Sequence, residues 1–138
     1  MQILVIDAQG GGIGRQLVSG VRQAVPGAEI TAVGTNSAAT AAMHRAGADH
    51  AATGENAVVV ACRKADIIVG PIGIVIADSL FGEITPVMAA AVGQSSAKRV
   101  LIPFNHCDNI LVGVPNTSVS ALLQEAVDVV RQLAADTK

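Results

Sequence analysis

Aromatic and basic residues are both scarce in this sequence. It contains no Trp, no Tyr and two Phe, Phe81 and Phe104, so it offers no platform on which successive bases could stack. Lys and Arg together number 9 against 11 acidic residues, which gives a formal net charge of −2. Such a chain presents no positive field to a phosphate backbone. We therefore expect no nucleic-acid partner.

Cysteine pairs, metal-ligand spacings and long apolar runs are also missing. Cys62 and Cys107 are far apart and form no CxxC pair, which argues against a disulfide framework and a cysteine zinc cluster. His44 and His50 have no recognised metal spacing, so we expect no metal site. Every apolar stretch is interrupted within about 18 residues, too soon for a membrane span. The opening MQILVIDAQ has no features of a secretory signal, and we expect a cytoplasmic protein with no membrane partner.

Length and apolar content limit the architecture. The 138 residues correspond to one ordinary domain, which we take as 1–138. Hydrophobic residues make up 51% and charged residues 14% of the chain, a balance that argues against disorder. The segment from Glu55 to Ala65 is apolar around much of its predicted helical circumference. Because a monomer would expose part of it, we expect a homodimer or a higher homo-oligomer.

Apolar runs of strand length alternate with helical patterns, which is typical of βαβ units. The pattern predicts an α/β, three-layer Rossmann-like fold with a mostly parallel sheet of about five to six strands and helices on both faces. Predicted strands are QILVID, AEITAVG, ADHAA, ADIIVG, RVLIPF and NILVGVP. Predicted helices are 13–25, 37–45, 54–65 with Thr53 as its cap, one starting at Thr85 and Pro86, and one capped by Ser118 or Ser120. The stretch 71–83 fits either a buried helix or a loop that packs its Ile and Val side chains, and we favour the helix.

The most informative motif is DAQGGGIGR, Asp7 to Arg15, between the first strand and the first helix. Glycines there allow positive φ and let a pyrophosphate approach amides that no Cβ screens. The exposed amides and the helix dipole attract an anion. The spacing partly fits the GxxxGxG of short-chain dehydrogenases, with Ala8 at the first position. We favour a phosphate-binding turn over a tight turn without a ligand. The predicted binding residues are Asp7, Gln9, Gly10, Gly11, Gly12, Ile13 and Gly14.

Asp7 itself ends the first predicted strand. A carboxylate facing the amides of the turn is either a cap for those amides or a general base, and we favour the cap.

The second predicted strand ends without an acidic residue. Gly34 is followed by Thr35, Asn36 and Ser37, whereas a cofactor with a free ribose diol usually meets Asp or Glu at this place. Neutral hydrogen-bonding groups beside a helix N-terminus can hold a phosphate. NADP, another nucleotide or a phosphorylated metabolite therefore fits better than NAD. An equally good interpretation is that these residues only cap the second helix.

A second glycine-containing turn, GPIG, ends the fourth predicted strand. Open α/β folds place ligands at this carboxyl edge of the sheet, although the same letters would also suit an ordinary turn. The predicted contacts here are Gly70, Pro71, Ile72 and Gly73, followed by the less specific polar candidates Asp78, Ser79, Glu83 and Thr85.

The turn after the fifth predicted strand carries Asn105, His106, Cys107 and Asp108. A thiolate activated by an imidazole is a standard nucleophile, but neighbours in sequence seldom reach the required geometry. We favour a structural Cys107 and a solvent-facing His106. The candidate catalytic residues are accordingly Asp7, His106 and Cys107.

Several strings together resemble one family. They are IDAQGGGIG, GTNSAATAAMHRAGA, ATGENAVVV, ADIIVGPIGIVIADSLFGEITPVMAAAVG and VLIP. On these strings the chain resembles an uncharacterised bacterial family, common in anaerobic Firmicutes and known only as a domain of unknown function. Its members usually carry Gly where this chain has Ala8, in a GQGGGIG-like turn. The resemblance covers nearly the whole chain and implies a compact bacterial protein that stands alone, but it implies no reaction.

Together these features favour a small nucleotide- or dinucleotide-binding, NADP-like protein whose reaction is unknown. A full dehydrogenase normally adds a substrate domain, and 138 residues leave no room for one. Any catalysis would then need a second copy or a partner to complete the site. Two alternatives remain. One is a non-redox enzyme acting on a small phosphorylated or carboxylated metabolite through Asp7 and the 105–108 turn, and the other is a ligand-sensing module without chemistry.

Overall fold

Strands and helices alternate along the chain. A computed structural model describes residues 1–104, 108–114 and 117–137. The strands are β1 (Gln2–Asp7), β2 (Glu29–Gly34), β3 (His50–Thr53), β4 (Ile67–Pro71) and β5 (Lys98–Ile102). The α-helices are α1 (Gly12–Ala24), α2 (Ser37–Arg45), α3 (Glu55–Lys64), α4 (Pro86–Gln94) and α5 (Val119–Asp136). Within these described ranges, no helix combines the length and the apolar character needed to cross a bilayer.

The five strands form one parallel sheet in the order β3-β2-β1-β4-β5. This is the order of Rossmann-like folds, so the predicted fold class is confirmed. The direction of winding reverses between β1 and β4, which makes that junction the switch point of the sheet. Asp7 lies opposite Gly34 across β1 and β2, and Gly70 ends β4 at the same carboxyl edge. The predicted common edge for these three residues is therefore present.

Helices cover both faces of the sheet. Ile3 and Val5 of β1 belong to a core shared with α1, α2 and α5, whereas Leu4 and Ile6 belong to a second core shared with α3 and α4. Successive residues of a strand point to opposite faces. A strand buried on both faces must therefore be apolar throughout, which is why β1 reads as a continuous hydrophobic run.

The predicted helix at 71–83 does not form. A short 3-10 helix at Ile72–Val75 is followed by turns, and three non-glycine residues there have positive φ: Asp78 (64°), Leu80 (54°) and Phe81 (57°). Such left-handed backbone cannot continue a right-handed helix. The favoured helix is therefore wrong and the alternative, a loop that packs apolar side chains, is confirmed: Ile74 and Leu80 are buried, although Phe81 is exposed.

Two smaller predictions are also wrong. The described part of the predicted strand NILVGVP, residues 109–114, pairs with no strand. Ile110 and Val112 are almost fully exposed and Gly113 has φ of 84°. These residues therefore neither join the sheet nor pack into the core. Thr53 ends β3 instead of capping α3, whose N-cap is Gly54.

Gly70 allows β4 to approach β1 closely. A Cβ at this position would lie 2.5 Å from the backbone oxygen of Ile6. We expect Gly70→Ala to lower the free energy of unfolding by about 2 kcal/mol, because the backbone of a packed strand cannot move aside without cost. Urea denaturation measures this change. Gly93→Ala in α4 is the control, since its Cβ would meet no atom within 4 Å, and it should raise stability by roughly 0.5 kcal/mol. Equal effects of the two substitutions would contradict the close-approach explanation.

Candidate functional site

The glycine turn is held in place by the carboxylate of Asp7. Asp7 is 5% exposed; its Oδ1 accepts a hydrogen bond from the Ala8 N–H at 2.8 Å and its Oδ2 accepts one from the Gly14 N–H at 2.6 Å. The Gly11 N–H donates to the Ala8 carbonyl at 3.0 Å. Gln9 and Gly11 adopt left-handed backbone with φ of 53° and 74°. The segment 7–14 is therefore a tight turn closed by a buried acid.

Competing effects act on the pKa of Asp7. Burial raises it, hydrogen bonds from the Gly14 and Ala8 amides lower it, and the nearby charge of Glu83 raises it further; the net result is a raised pKa. Because both oxygens already accept backbone hydrogen bonds, no lone oxygen is directed at a substrate proton. The geometry is that of the cap expected from the sequence.

A second carboxylate, that of Glu83, reaches the same turn from the loop after β4. Its Oε1 accepts hydrogen bonds from the Gln9 N–H at 3.0 Å, the Thr35 hydroxyl at 2.6 Å and the Asn36 side-chain amide at 2.8 Å. All three donors belong to residues predicted to bind phosphate. In the structure, they are paired with an anion of the chain itself.

Hydrogen bonding decides the ionisation of Glu83. Burial raises the pKa of this carboxyl, but the hydrogen bonds from Thr35, Gln9 and Asn36 lower it by more, so that the pKa lies below its ordinary value. Glu83 is therefore ionised at neutral pH. Among the described residues no Lys, Arg or His forms a salt bridge with it.

Asn36 also begins α2. Its Oδ1 accepts a hydrogen bond from the Ala39 N–H at 2.9 Å, and its Nδ2 donates to the Gln9 carbonyl at 2.9 Å as well as to Glu83. Ser37 is the exposed first residue of the helix. The predicted capping interpretation is thus confirmed for Asn36.

A cleft of about 400 Å³ opens over the glycine turn at the switch point. Its polar floor contains the exposed residues Gly10 and Gly12, whose N–H groups make no hydrogen bond within the described ranges. Its other walls are largely apolar. The lining residues are Asp7, Ala8, Gln9, Gly10, Gly11, Gly12, Ile13, Gln16, Pro71, Leu80, Phe104 and Val119.

Sequence reasoning missed five of these lining residues: Ala8, Gln16, Leu80, Phe104 and Val119. Ala8 lies within the glycine motif but was not among the predicted contacts. Gln16 lies one helical turn after Gly12, and Phe104 and Val119 follow β5 and begin α5. Leu80 contacts the cleft only because the loop after β4 folds back. The usual position of ligands at the carboxyl ends of parallel strands would have identified Phe104; nothing local identifies Leu80.

The remaining predicted contacts have structural partners or lie elsewhere. Pro71 lines the cleft. The predicted contacts that do not line it are Gly14, Thr35, Asn36, Ser37, Gly70, Ile72 and Gly73. The Ser79 hydroxyl donates to the Gly73 carbonyl, and Thr85 caps α4 by accepting from the Met88 N–H at 3.1 Å.

Asn105, His106 and Cys107 of the predicted turn lie outside the described residues. Cys62 is buried, which raises the pKa of its thiol to about 11 and keeps it protonated at neutral pH. No group of three potential metal ligands occurs in the part of the chain that the structure describes.

A larger groove, of about 590 Å³, lies on the opposite side of the sheet between β2, β3 and α3. Small and branched side chains such as Val33, Ala57 and Val60 line much of it. We therefore place the candidate ligand site in the smaller cleft, where several polar groups converge.

The chain belongs to the family described as a domain of unknown function, DUF3842, whose model matches residues 2–135. A comparison with curated proteins found no match. Among solved structures, the chain is similar to a dodecameric FMN-dependent UbiX-like decarboxylase from Escherichia coli O157:H7. The identity is 16%, the match covers 97% of this chain and 94% of that chain, and the TM-score is 0.46.

The charge of Glu83 should stabilise the fold at neutral pH. A carboxyl whose pKa is depressed on folding contributes stability above its unfolded pKa, here near 4.5, and loses that contribution as the pH falls through the folded value. We expect Glu83→Gln to lower the free energy of unfolding by about 1 kcal/mol at pH 7. The difference from wild type should shrink steadily below pH 4.5. Chemical denaturation across this range measures it, with Glu125→Gln on the exposed side of α5 as control. A difference that is constant with pH would exclude the charge as the cause.

Proposed function

We propose that this protein binds a nucleotide whose phosphate sits over the glycine turn, in the cleft at the switch point. The observation that carries the proposal is the placement of the unpaired Gly10 and Gly12 amides at the N-terminus of α1, on the floor of a cleft of ligand size. Helix N-termini attract anions because their amides and dipole are positive. Open α/β sheets bind ligands at this junction.

Fewer amides of the turn are available to a phosphate than the glycine motif suggests. Of the amides in the turn, those of Ala8, Ile13 and Gly14 bond to Asp7, that of Gln9 to Glu83, and that of Gly11 to a backbone carbonyl. Only the amides of Gly10 and Gly12 make no hydrogen bond to the described part of the chain. Two amides at one helix N-terminus are enough to bind one phosphate group but too few to bind several separate anions.

The apolar walls suit the rest of a nucleotide. Pro71, Leu80, Phe104 and Val119 surround the floor, and a planar ring gains from burial against such side chains. A nucleotide meets both requirements. An enzyme that uses Asp7 as its base is less well supported, because both oxygens of that carboxylate already accept hydrogen bonds.

The phosphate seat can be tested at Gly12. A Cβ there would meet no atom of the protein within 4 Å but would project beside the cleft floor. We expect Gly12→Val to weaken nucleotide binding at least tenfold with little loss of stability. Thermal shift against NAD, NADP, ATP, FMN, coenzyme A and sugar phosphates first identifies a ligand, since one at about 100 times its Kd adds roughly 2.7 kcal/mol. Titration calorimetry then compares the variants.

Gly27→Val is the matched control for this test. Its Cβ also meets nothing within 4 Å, and it precedes β2 at the far edge of the sheet. Equal affinities of the two variants, or absence of binding to every compound in the wild type, would overturn the proposal.

We further propose that the protein self-associates through the groove between α3 and the β2-β3 face. β3 is the edge strand and all four of its residues are exposed. Val60 on α3 is 36% exposed and lines this apolar groove. A second copy of the chain is the commonest cover for such a surface, through two-fold pairing.

Val60→Asp should convert the oligomer to a monomer, because a carboxylate would have to be buried at the interface without a partner. Val129→Asp on α5 is the control, with a similar exposure of 42% but outside the groove. Sedimentation at low micromolar concentration measures the mass. A wild-type mass near the 13.9 kDa of one chain would refute self-association. If both Val60→Asp and Val129→Asp abolished the oligomer, the groove would not be the specific interface and that part of the proposal would be wrong.

A further inference from the structure

Glu83 occupies the place where this fold usually presents an acidic residue to a ligand. In dinucleotide-binding members of the fold, Asp or Glu at the end of β2 accepts hydrogen bonds from a ribose. In this chain Thr35 and Asn36 stand there, and both donate to Glu83 at 2.6 and 2.8 Å. The structure therefore places a carboxylate at the end of β2, supplied by a segment that follows β4.

We propose that Glu83 reads the sugar of the bound nucleotide, accepting hydrogen bonds from the hydroxyls of an unphosphorylated ribose and rejecting a ribose with a 2′-phosphate. This inference rests on the proposed nucleotide-binding function. It names the class of ligand that the site accepts.

The two oxygens of Glu83 have different roles. Oε1 accepts three hydrogen bonds from the protein, which fix the position of the carboxylate. Oε2 makes no hydrogen bond to any residue in the described ranges, and the side chain is only partly buried. One oxygen is thus anchored, and the other remains able to accept from the hydroxyls of a ligand.

The position of Glu83 next to the glycine turn suits this role. The Gln9 N–H that donates to Glu83 belongs to the turn that lines the cleft. Glu83, Thr35 and Asn36 do not line the cleft themselves; Gln9 is the lining residue that contacts Glu83. A nucleotide with its phosphate over Gly10 and Gly12 would reach Glu83 by extending past Gln9, toward the end of β2.

Charge gives the site its selectivity. Proteins that accept a 2′-phosphate place an Arg near it, whereas Glu83 forms no salt bridge with a basic side chain of the described chain. Burial and hydrogen bonding together leave the pKa of Glu83 below its ordinary value, so the carboxylate is charged at neutral pH. A 2′-phosphate would bring further negative charge against it. The sequence-based preference for NADP, which depended on the neutral residues Thr35, Asn36 and Ser37, is therefore reversed by this inference.

The test uses two ligands that differ only in the 2′-phosphate, ADP-ribose and 2′-phospho-ADP-ribose, measured by titration calorimetry at pH 7.5. We expect the wild type to bind ADP-ribose at least about tenfold more tightly, because a like charge near a protein surface is worth about this much. In Glu83→Gln this ratio should fall toward one, since Gln keeps an oxygen for the Thr35, Asn36 and Gln9 donors but lacks the charge.

Glu55→Gln is the matched control. Glu55 begins α3 at the same edge of the sheet, is exposed and carries the same charge, so its removal should leave the ratio unchanged. A similar change of the ratio in both variants would mean that net charge, and not the position of Glu83, sets the preference, which would overturn the inference.

The outcomes separate this inference from the proposed function. If the wild type binds both ligands equally, or prefers the 2′-phosphate, the inference is wrong and the nucleotide site stands. If neither ligand nor any other nucleotide binds at millimolar concentration, the proposed function falls, and the inference with it. If Glu83→Gln does not fold, the wild-type ratio alone still decides, since a ratio of one or less is incompatible with a charge that rejects the phosphate.

Discussion

The buried carboxylate of Asp7 is the constraint on which the ligand site depends. It closes the turn between β1 and α1 by accepting the amides of Ala8 and Gly14, and it thereby determines which way the first turn of α1 faces. A buried acid is unfavourable unless its oxygens are hydrogen-bonded. The same two bonds that offset this cost also fix the turn that carries Gly10 and Gly12, which line the cleft.

Two carboxylates at one helix N-terminus change the meaning of a glycine-rich turn. The motif is usually taken as a set of free donors for pyrophosphate, but here Asp7 and Glu83 of the chain itself occupy several of those donors. The positive end of α1 is thus partly neutralised from within. In the proposed site, the amides of Gly10 and Gly12 would bind an anion beside the fixed carboxylate of Glu83, so that ligands would be distinguished by where they carry charge as well as by shape.

The backbone of the loop that carries Glu83 is in an unfavourable conformation. Leu80 and Phe81 both adopt left-handed backbone, which L-residues avoid. The conformation is held by burial of the Leu80 side chain and by the Ser79 hydroxyl on the Gly73 carbonyl. Such strain persists where the surroundings impose it, and it is concentrated at functional sites. In this protein the loop places the charged carboxylate of Glu83 at the end of β2, where the residues that follow β2, Thr35 and Asn36, are neutral.

The sequence by itself determined the fold class, the order of strand and helix, and the position of the glycine turn. These depend on local signals: the continuous apolar pattern of β1, the helical spacing of Leu17 and Val21 in α1, and the glycines in the turn between β1 and α1. It was also sufficient for the cap at Thr85, because a cap acts over three residues. It narrowed the start of α5 to Ser118 or Ser120, of which Ser118 is the cap, and it was wrong about Thr53. Where a local pattern had no unique conformation, at 71–83 and 109–114, prediction failed.

The tertiary structure alone decided what the site offers to a ligand. Glu83 was visible in the sequence only as one of several unspecific polar residues, since its partners Gln9, Thr35 and Asn36 are 74, 48 and 47 positions away. Hydrogen bonds over such separations depend on how the crossovers place whole loops against one another. No periodicity or spacing encodes that placement, because it results from the packing of α3, α4 and the sheet that brings the loop after β4 back to the end of β2.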